Sequence, residues 1–183
     1  MMMRRIGWLL MILLVRYPAN SFADHLPEHL LARGRPETIL AGIDLKHTSF
    51  EKIVRLYGKP TEQKRWEPGL PNSSGAIDYY WRRRGLNLHV QVEFLPERPD
   101  WKSVGLAAVG RGTSRKVKTG VGLGIGDTLS DLRRVYGNRY HLRDIPKLNI
   151  HDAMFQWRQE EYSLVAELDH KNRITSLTLV TPE

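Results

Sequence analysis

Two short stretches of the chain carry apolar residues at the spacing of an amphipathic helix. In residues 45–58 these are Phe50, Ile53, Val54 and Tyr57, and in residues 121–137 they are Leu129, Leu132 and Tyr136. Each series follows a polar cluster and stops at a Tyr-Gly pair, which is typical of a helix that ends at a glycine. The pattern predicts one short helix in each stretch.

The polar clusters also contain candidate capping residues. Thr48 with Glu51, and Thr128 with Asp131, have the spacing at which two side chains satisfy the free amides of a first helical turn. We therefore predict that both helices begin just after these threonines.

Alternating apolar and polar residues follow each predicted helix and indicate antiparallel strands with one buried face. In the first half, the residues on the buried face are Ile77, Tyr79, Trp81, Leu86, Leu88, Val90, Val92 and Phe94. In the second half they are Ala153, Phe155, Trp157, Tyr162, Leu164, Ala166 and Leu168. Further strands are predicted at residues 104–109 and 174–181, the latter after a hairpin connection at residues 169–173.

These patterns predict an α+β fold made of two tandem units, each a short helix packed on a three- to four-stranded antiparallel sheet. The first unit would span residues 42–110 and the second residues 121–183, joined by a basic linker at residues 111–120. Residues 24–41 form a polar N-terminal lead-in.

The first 23 residues have the pattern of a secretory signal peptide. A positive start precedes an apolar run at residues 6–15, and Ser21 and Ala23 are small residues at the positions that signal peptidase reads. We predict cleavage between Ala23 and Asp24 and a periplasmic or secreted protein without a membrane span. An uncleaved anchor is the alternative, although the apolar run is short for one.

The chain of 183 residues contains no cysteine, so an apolar core must hold the fold, and thiol catalysis is excluded. The formal net charge of +8 falls to +5 when Arg4, Arg5 and Arg16 leave with the signal peptide. A basic exported protein suits an envelope protein, an anionic polymer or a lipid surface as its partner, and nucleic acid is unlikely. The alternative is a solvated basic surface with no partner.

Two groups of basic residues are the candidate binding sites. The first group is Arg82, Arg83 and Arg84, and the second is Arg111, Arg115, Lys116 and Lys118. The first directly follows Tyr79, Tyr80 and Trp81, but the alternation assigns Tyr79 and Trp81 to the core, which leaves only Tyr80 to face outward. Stacking of a ligand on aromatic rings is therefore not predicted beside these arginines.

Candidate catalytic and metal-binding residues form no recognisable motif. The seven histidines are scattered at positions 25, 29, 47, 89, 141, 151 and 170, and only His25 and His29 have a spacing that could place two imidazoles on one helix face. The glycines at 122, 124 and 126 do not match a dinucleotide or triphosphate loop, so they indicate a tight turn before the second helix. We predict no cofactor, no metal site and no enzymatic activity.

The helix that ends in Tyr-Gly, followed by strands rich in aromatic residues, resembles the small exported modules of the SmpA/OmlA (BamE) family. The resemblance covers residues 45–58 and 124–137. The duplication resembles the two-unit architecture of secreted beta-lactamase inhibitory protein. Both families imply an envelope-located, non-catalytic module that binds another protein, usually through a concave sheet surface. This chain departs from the first family in lacking the lipidated cysteine and in having two units.

The leading hypothesis is therefore an exported, cofactor-free binding module that contacts a protein or an anionic envelope component. One alternative is a small periplasmic hydrolase that uses histidines brought together by the fold. The other is a structural protein without a specific ligand.

Overall fold

The computed structural model describes residues 31–32, 34–67, 75–95, 98–145, 150–157 and 162–181. The predicted signal peptide, residues 1–23, lies outside these ranges, as do His25 and His29. Within the described ranges, the helices are too short or too polar to span a bilayer.

The described residues form ten strands and two helices. In chain order these are β1 (Ile39–Leu40), β2 (Ile43–Asp44), α1 (Phe50–Tyr57), β3 (Glu62–Trp66), β4 (Gly75–Arg83), β5 (Leu86–Leu95), β6 (Arg98–Val109), α2 (Leu129–Tyr136), β7 (His141–Ile145), β8 (Ile150–Gln156), β9 (Ser163–Leu168) and β10 (Ile174–Val180).

Eight of these strands form one continuous antiparallel sheet in the order β3-β4-β5-β6-β10-β9-β8-β7, while β1 and β2 form a small separate hairpin. The prediction of an α+β fold with two tandem helix-plus-sheet units is wrong, because β6 pairs with β10 at the centre of the sheet. Ala107 lies opposite Leu179 there, and Val109 lies opposite Leu177. Each of these strands would otherwise expose a row of unpaired backbone groups, which the partner strand satisfies. The fold is mainly antiparallel sheet, with two helices of eight residues each in its described part.

Both helices pack on the same face of the sheet, which carries the apolar positions predicted from the alternation. The rings of Phe50 and Tyr57 on α1 lie against Trp81, with ring centroids 6.5 and 6.3 Å apart. Tyr136 on α2 lies against Trp157 at 5.3 Å. Trp81 is 0% exposed and Trp157 is 2% exposed, so the prediction that both tryptophans belong to the core is confirmed.

The helix ends follow the local sequence, with one correction. Thr128 and Asp131 form the predicted capping box of α2, but the N-cap of α1 is Ser49, whose hydroxyl accepts a hydrogen bond from the amide of Lys52. The Thr48 hydroxyl accepts from the amide of Asp44 instead, and so it closes the turn before the helix. Both helices end at glycines with positive φ, 72° at Gly58 and 86° at Gly137.

The last residues of the lead-in are built into the fold through a buried carboxylate. Glu37 is 4% exposed, and its Oε2 accepts a hydrogen bond of 2.9 Å from the Tyr136 hydroxyl while its Oε1 accepts from the amide of Ile39 at 3.0 Å. Burial, followed by the nearby Glu37 charge, raises the pKa of Tyr136. This contact ties the chain before β1 to the second helix.

Candidate functional site

The polar face of the sheet contains a buried cluster around Asp78. Its carboxylate accepts hydrogen bonds from Trp66 Nε1 at 2.6 Å, from Gln91 Nε2 at 3.0 Å and from His89 Nε2 at 3.0 Å. Burial alone would raise the pKa of Asp78, but the hydrogen bond and charge of His89, together with the other two donors, lower it. Asp78 is 1% exposed and His89 4%, so the alternation placed His89 on the polar face correctly without revealing its burial.

This cluster joins three strands and does not assemble the histidines that a hydrolase would need. The Tyr80 ring stacks on His89 with centroids 4.5 Å apart, and burial raises the pKa of Tyr80 to about 12. In the described ranges, His89 is the histidine that pairs with a carboxylate, whereas the half-buried His151 contacts the side chain of Asn172. Groups of three or more potential metal ligands are also absent from these ranges.

A second polar cluster lies on the same sheet face in β7, β8 and β9. Asp152 is 1% exposed, and both of its carboxylate oxygens accept hydrogen bonds from the Arg143 guanidinium. Glu167 lies directly opposite Asp152 in the strand register. Burial and the Asp152 charge raise the pKa of Glu167, while the charges of Arg111 and Arg143 act to lower it. Arg111, predicted as a binding residue, is therefore close enough to influence this carboxylate.

The structure gives local roles to two arginines of the first predicted group. Arg82 forms an ion pair with Glu62 at 2.5 Å, and its guanidinium lies 4.5 Å from the centroid of the Tyr80 ring. Arg83 donates a hydrogen bond to the carbonyl oxygen of Tyr57, the last residue of α1, where a cation interacts favourably with the helix dipole. Arg84 lies in the exposed turn between β4 and β5.

In the second predicted group, Lys118 differs from the others. Its Nζ lies 2.8 Å from Asp127 Oδ2, and the same oxygen accepts a hydrogen bond from the amide of Gly124. Asp127 thus closes the turn before α2, as the glycine pattern predicted. Arg111, Arg115 and Lys116 are exposed, and no carboxylate of the described residues lies within ion-pair distance of them.

Backbone contacts bring the two predicted basic groups together at one end of the sheet. The amide of Ser114 donates a hydrogen bond of 2.8 Å to the carbonyl oxygen of Gly85, and the amide of Asn87 donates to the Thr113 hydroxyl at 3.0 Å. The turn at residues 84–85 therefore packs directly against the loop at residues 110–117. The glycine at position 85 has a φ of 75°, which its lack of a Cβ allows in so tight a turn.

The C-terminal end of α1 meets the same region. The Trp81 indole donates a hydrogen bond of 2.9 Å to the carbonyl oxygen of Gly58, next to the bond from Arg83 to Tyr57. We call the surface formed by residues 55–59, 82–85 and 110–117 the basic end. Its charged residues are all cations, with no Asp or Glu in the three segments: Arg55, Lys59, Arg82, Arg83, Arg84, Arg111, Arg115 and Lys116. All eight are exposed.

Arg55 and Lys59 are the members of this surface that sequence reasoning missed. They flank the Tyr-Gly pair at the end of α1, and cations near a helix C-terminus read as ordinary dipole partners. The signal that could have found them is the sequence RLYGK itself, which lacks an acid just as residues 82–85 and 110–117 do.

No family model and no curated protein matches this chain. Among solved structures, a DUF4309 family protein (YjgB) from Bacillus subtilis subsp. subtilis str. 168 is similar over 76% of this chain and 82% of its own, with 12% identity and a TM-score of 0.43. A candidate beta-lactamase inhibitor protein from Streptococcus mutans is similar over 74% of this chain and 84% of its own, with 11% identity and a TM-score of 0.28. The second bears the name of the inhibitor architecture that the sequence resembles, and neither is named for the SmpA/OmlA family. Both TM-scores are too low for either likeness to carry an argument about this chain.

Proposed function

We propose that this protein is an exported, cofactor-free binding module, without enzymatic activity, whose basic end contacts an anionic component of the cell envelope. The observation that carries the proposal is the meeting of three acid-free segments, which gathers eight exposed cations on one surface. Of the residues predicted as binding sites, Arg84, Arg111, Arg115 and Lys116 would make the main contacts.

Electrostatics supports this assignment. Exposed charges interact over a Debye length of about 8 Å at physiological ionic strength, so neighbouring cations add their potentials. A surface of one sign raises the local concentration of a partner of the opposite sign and speeds its association. Arg82, Arg83 and Lys118 would add to this potential while also holding Glu62, the end of α1 and Asp127.

The rival functions predict different behaviour for the same surface. A structural protein without a ligand would tolerate neutralisation of the basic end with no loss of binding. A hydrolase would depend on a histidine, and His89 is the described candidate because Asp78 orients it. The Asp78 carboxylate already accepts three hydrogen bonds within the sheet, which favours a structural role for this pair.

Retention on a column of immobilised heparin, a polyanion without a lipid surface, tests the proposal. The wild-type protein is compared with the triple variant Arg84→Gln, Arg115→Gln and Lys116→Gln. We expect the wild-type protein to be retained and the triple variant to elute at markedly lower salt, because charge–charge contacts weaken as salt rises.

A charge-matched control separates the surface from the net charge. The variant Lys64→Gln, Lys102→Gln and Arg134→Gln also loses three exposed cations, none of which lies in the basic end. It should elute close to the wild-type protein. Equal elution of both triple variants, or no retention of the wild-type protein, would contradict the proposal.

A further inference from the structure

One large apolar side chain is exposed within the basic end. Leu56 lies in the last turn of α1 and is 54% exposed, while Ile53 on the same helix is 0% exposed and faces the core. Residues four positions apart are neighbours on a helix surface, so Lys52 lies beside Leu56. Arg55 precedes Leu56 directly in the chain, and Lys59 follows it by three residues, just beyond the helix end. This exposed leucine therefore has basic residues on both sides of it in the chain.

The sheet holds this leucine in place. The carbonyl oxygens of Tyr57 and Gly58 accept hydrogen bonds from Arg83 and from the Trp81 indole, so two contacts with β4 fix the end of α1. The backbone next to Leu56 is thus anchored to β4. The segment that carries the leucine and its flanking cations is therefore preorganised.

The combination of charge and exposed apolar surface distinguishes between anionic partners. A soluble polyanion satisfies the cations and offers nothing to a leucine. The surface of an anionic bilayer satisfies both, because its headgroups attract Lys and Arg while its acyl boundary receives apolar side chains. We propose, resting on the function proposed above, that the partner of the basic end is an anionic lipid surface, with Leu56 inserted at the acyl boundary and the cations against the headgroups.

Flotation of the full chain with vesicles tests this inference. One vesicle population contains equal parts of phosphatidylglycerol and phosphatidylcholine, and the other contains phosphatidylcholine alone. Residues 1–23, with their apolar run and their arginines, are the same in every variant, so differences between variants report on the basic end. We expect the wild-type protein to bind the anionic vesicles more tightly than the neutral ones. The triple variant of the basic end should bind the anionic vesicles about a hundredfold more weakly, since each cation near such a surface raises the affinity about fivefold.

The leucine is tested separately from the charges. Leu56→Gln should weaken binding to anionic vesicles about fivefold, because it removes the apolar surface that the bilayer would bury. Val135→Gln is the matched control, since Val135 is 39% exposed on α2, outside the basic end, and its replacement should leave binding unchanged. Neither variant should change retention on heparin.

The outcomes separate the two proposals. If the wild-type protein binds heparin through the basic end but shows no excess binding to anionic vesicles, the lipid assignment fails and the anionic-partner function stands, with an acidic protein or polymer as the remaining class. Equal vesicle binding by the wild-type protein and Leu56→Gln also overturns the lipid assignment. If the wild-type protein binds neither heparin nor anionic vesicles, the proposed function itself is overturned.

Discussion

Replacing each of the two core tryptophans by phenylalanine should have unequal effects on stability, although the two rings are almost equally buried. Trp81 is 0% exposed and donates its indole N–H to the carbonyl oxygen of Gly58 at 2.9 Å. Trp157 is 2% exposed, and its indole N–H has no hydrogen-bond partner in the described structure. The two substitutions remove similar apolar volume. Trp81→Phe also removes a hydrogen bond, whereas Trp157→Phe removes an unsatisfied donor.

The magnitudes follow from those contacts. Losing the second ring of an indole costs about 2 kcal/mol of apolar burial at either position. At Trp81 the lost hydrogen bond adds about 1 kcal/mol, because water can reach the carbonyl of the exposed Gly58. At Trp157 the substitution removes an unsatisfied donor that already costs about 1–3 kcal/mol. We expect Trp81→Phe to destabilise the protein by about 3 kcal/mol and Trp157→Phe by about 1 kcal/mol or less.

Urea unfolding followed by far-ultraviolet circular dichroism measures both free energies of unfolding, provided that the denaturant slope stays constant. Trp81→Ala and Trp157→Ala serve as controls and should each cost about 3–5 kcal/mol, because both open a cavity. Equal losses for the two phenylalanine variants, or a larger loss for Trp157→Phe, would refute the assignment of the hydrogen bonds.

The remaining predictions concern charged groups and a helix cap, and the same unfolding measurement at several pH values checks them. The lowered pKa of Asp78 means that its contribution to stability is present above about pH 4, the unfolded value, and is lost as the pH falls through the folded value; Asp78→Asn should abolish this acid-induced loss. The pKa of Glu167 is raised, so its effect on stability is the opposite: stability should fall as the pH rises through the folded value. Glu167→Gln should remove that decline. An unchanged pH profile would show that neither burial nor the Asp152 charge acts on this carboxyl. Thr128→Ala should cost about 1 kcal/mol because it removes the hydroxyl of the capping box of α2, whereas the same change at Thr48, outside the helix caps, tests how much of that loss belongs to the cap.

Local patterns in the sequence predicted the elements that have a buried face. Both helices end at the predicted glycines, and the alternation correctly placed residues such as Trp81 and Leu164 in the core. It missed β3 and β7, which are edge strands with only one neighbour each, and all but one of the side chains of β3 are exposed. An exposed strand needs no alternation of apolar and polar residues, so it leaves little signal.

The error in fold class arose from long-range pairing. The pairing of β6 with β10 brings Ala108 opposite Thr178, and neither residue carries information about a partner so distant in the chain. Once these strands pair, two predicted sheets become one. Local periodicity specifies which residues are buried, but it does not specify which strand edges meet.

The candidate site was only partly predictable, because it too depends on contacts between segments that are distant in the sequence. Runs such as Arg82, Arg83 and Arg84 are visible in the sequence, but their meeting with the loop at residues 110–117 depends on the contact between Gly85 and Ser114. Sequence alone also could not show that Lys118 pairs with Asp127. Ion pairs and shared surfaces depend on positions that only the folded chain defines.

The position of β10 constrains how the molecule can be made. The last strand of the described chain is also an inner strand, inserted between β6 and β9. A nascent or translocating chain therefore cannot complete this sheet until residues 174–180 have emerged. A chain that ended before Ile174 would contain two partial sheets, with the unpaired edges of β6 and β9 exposed to aggregation.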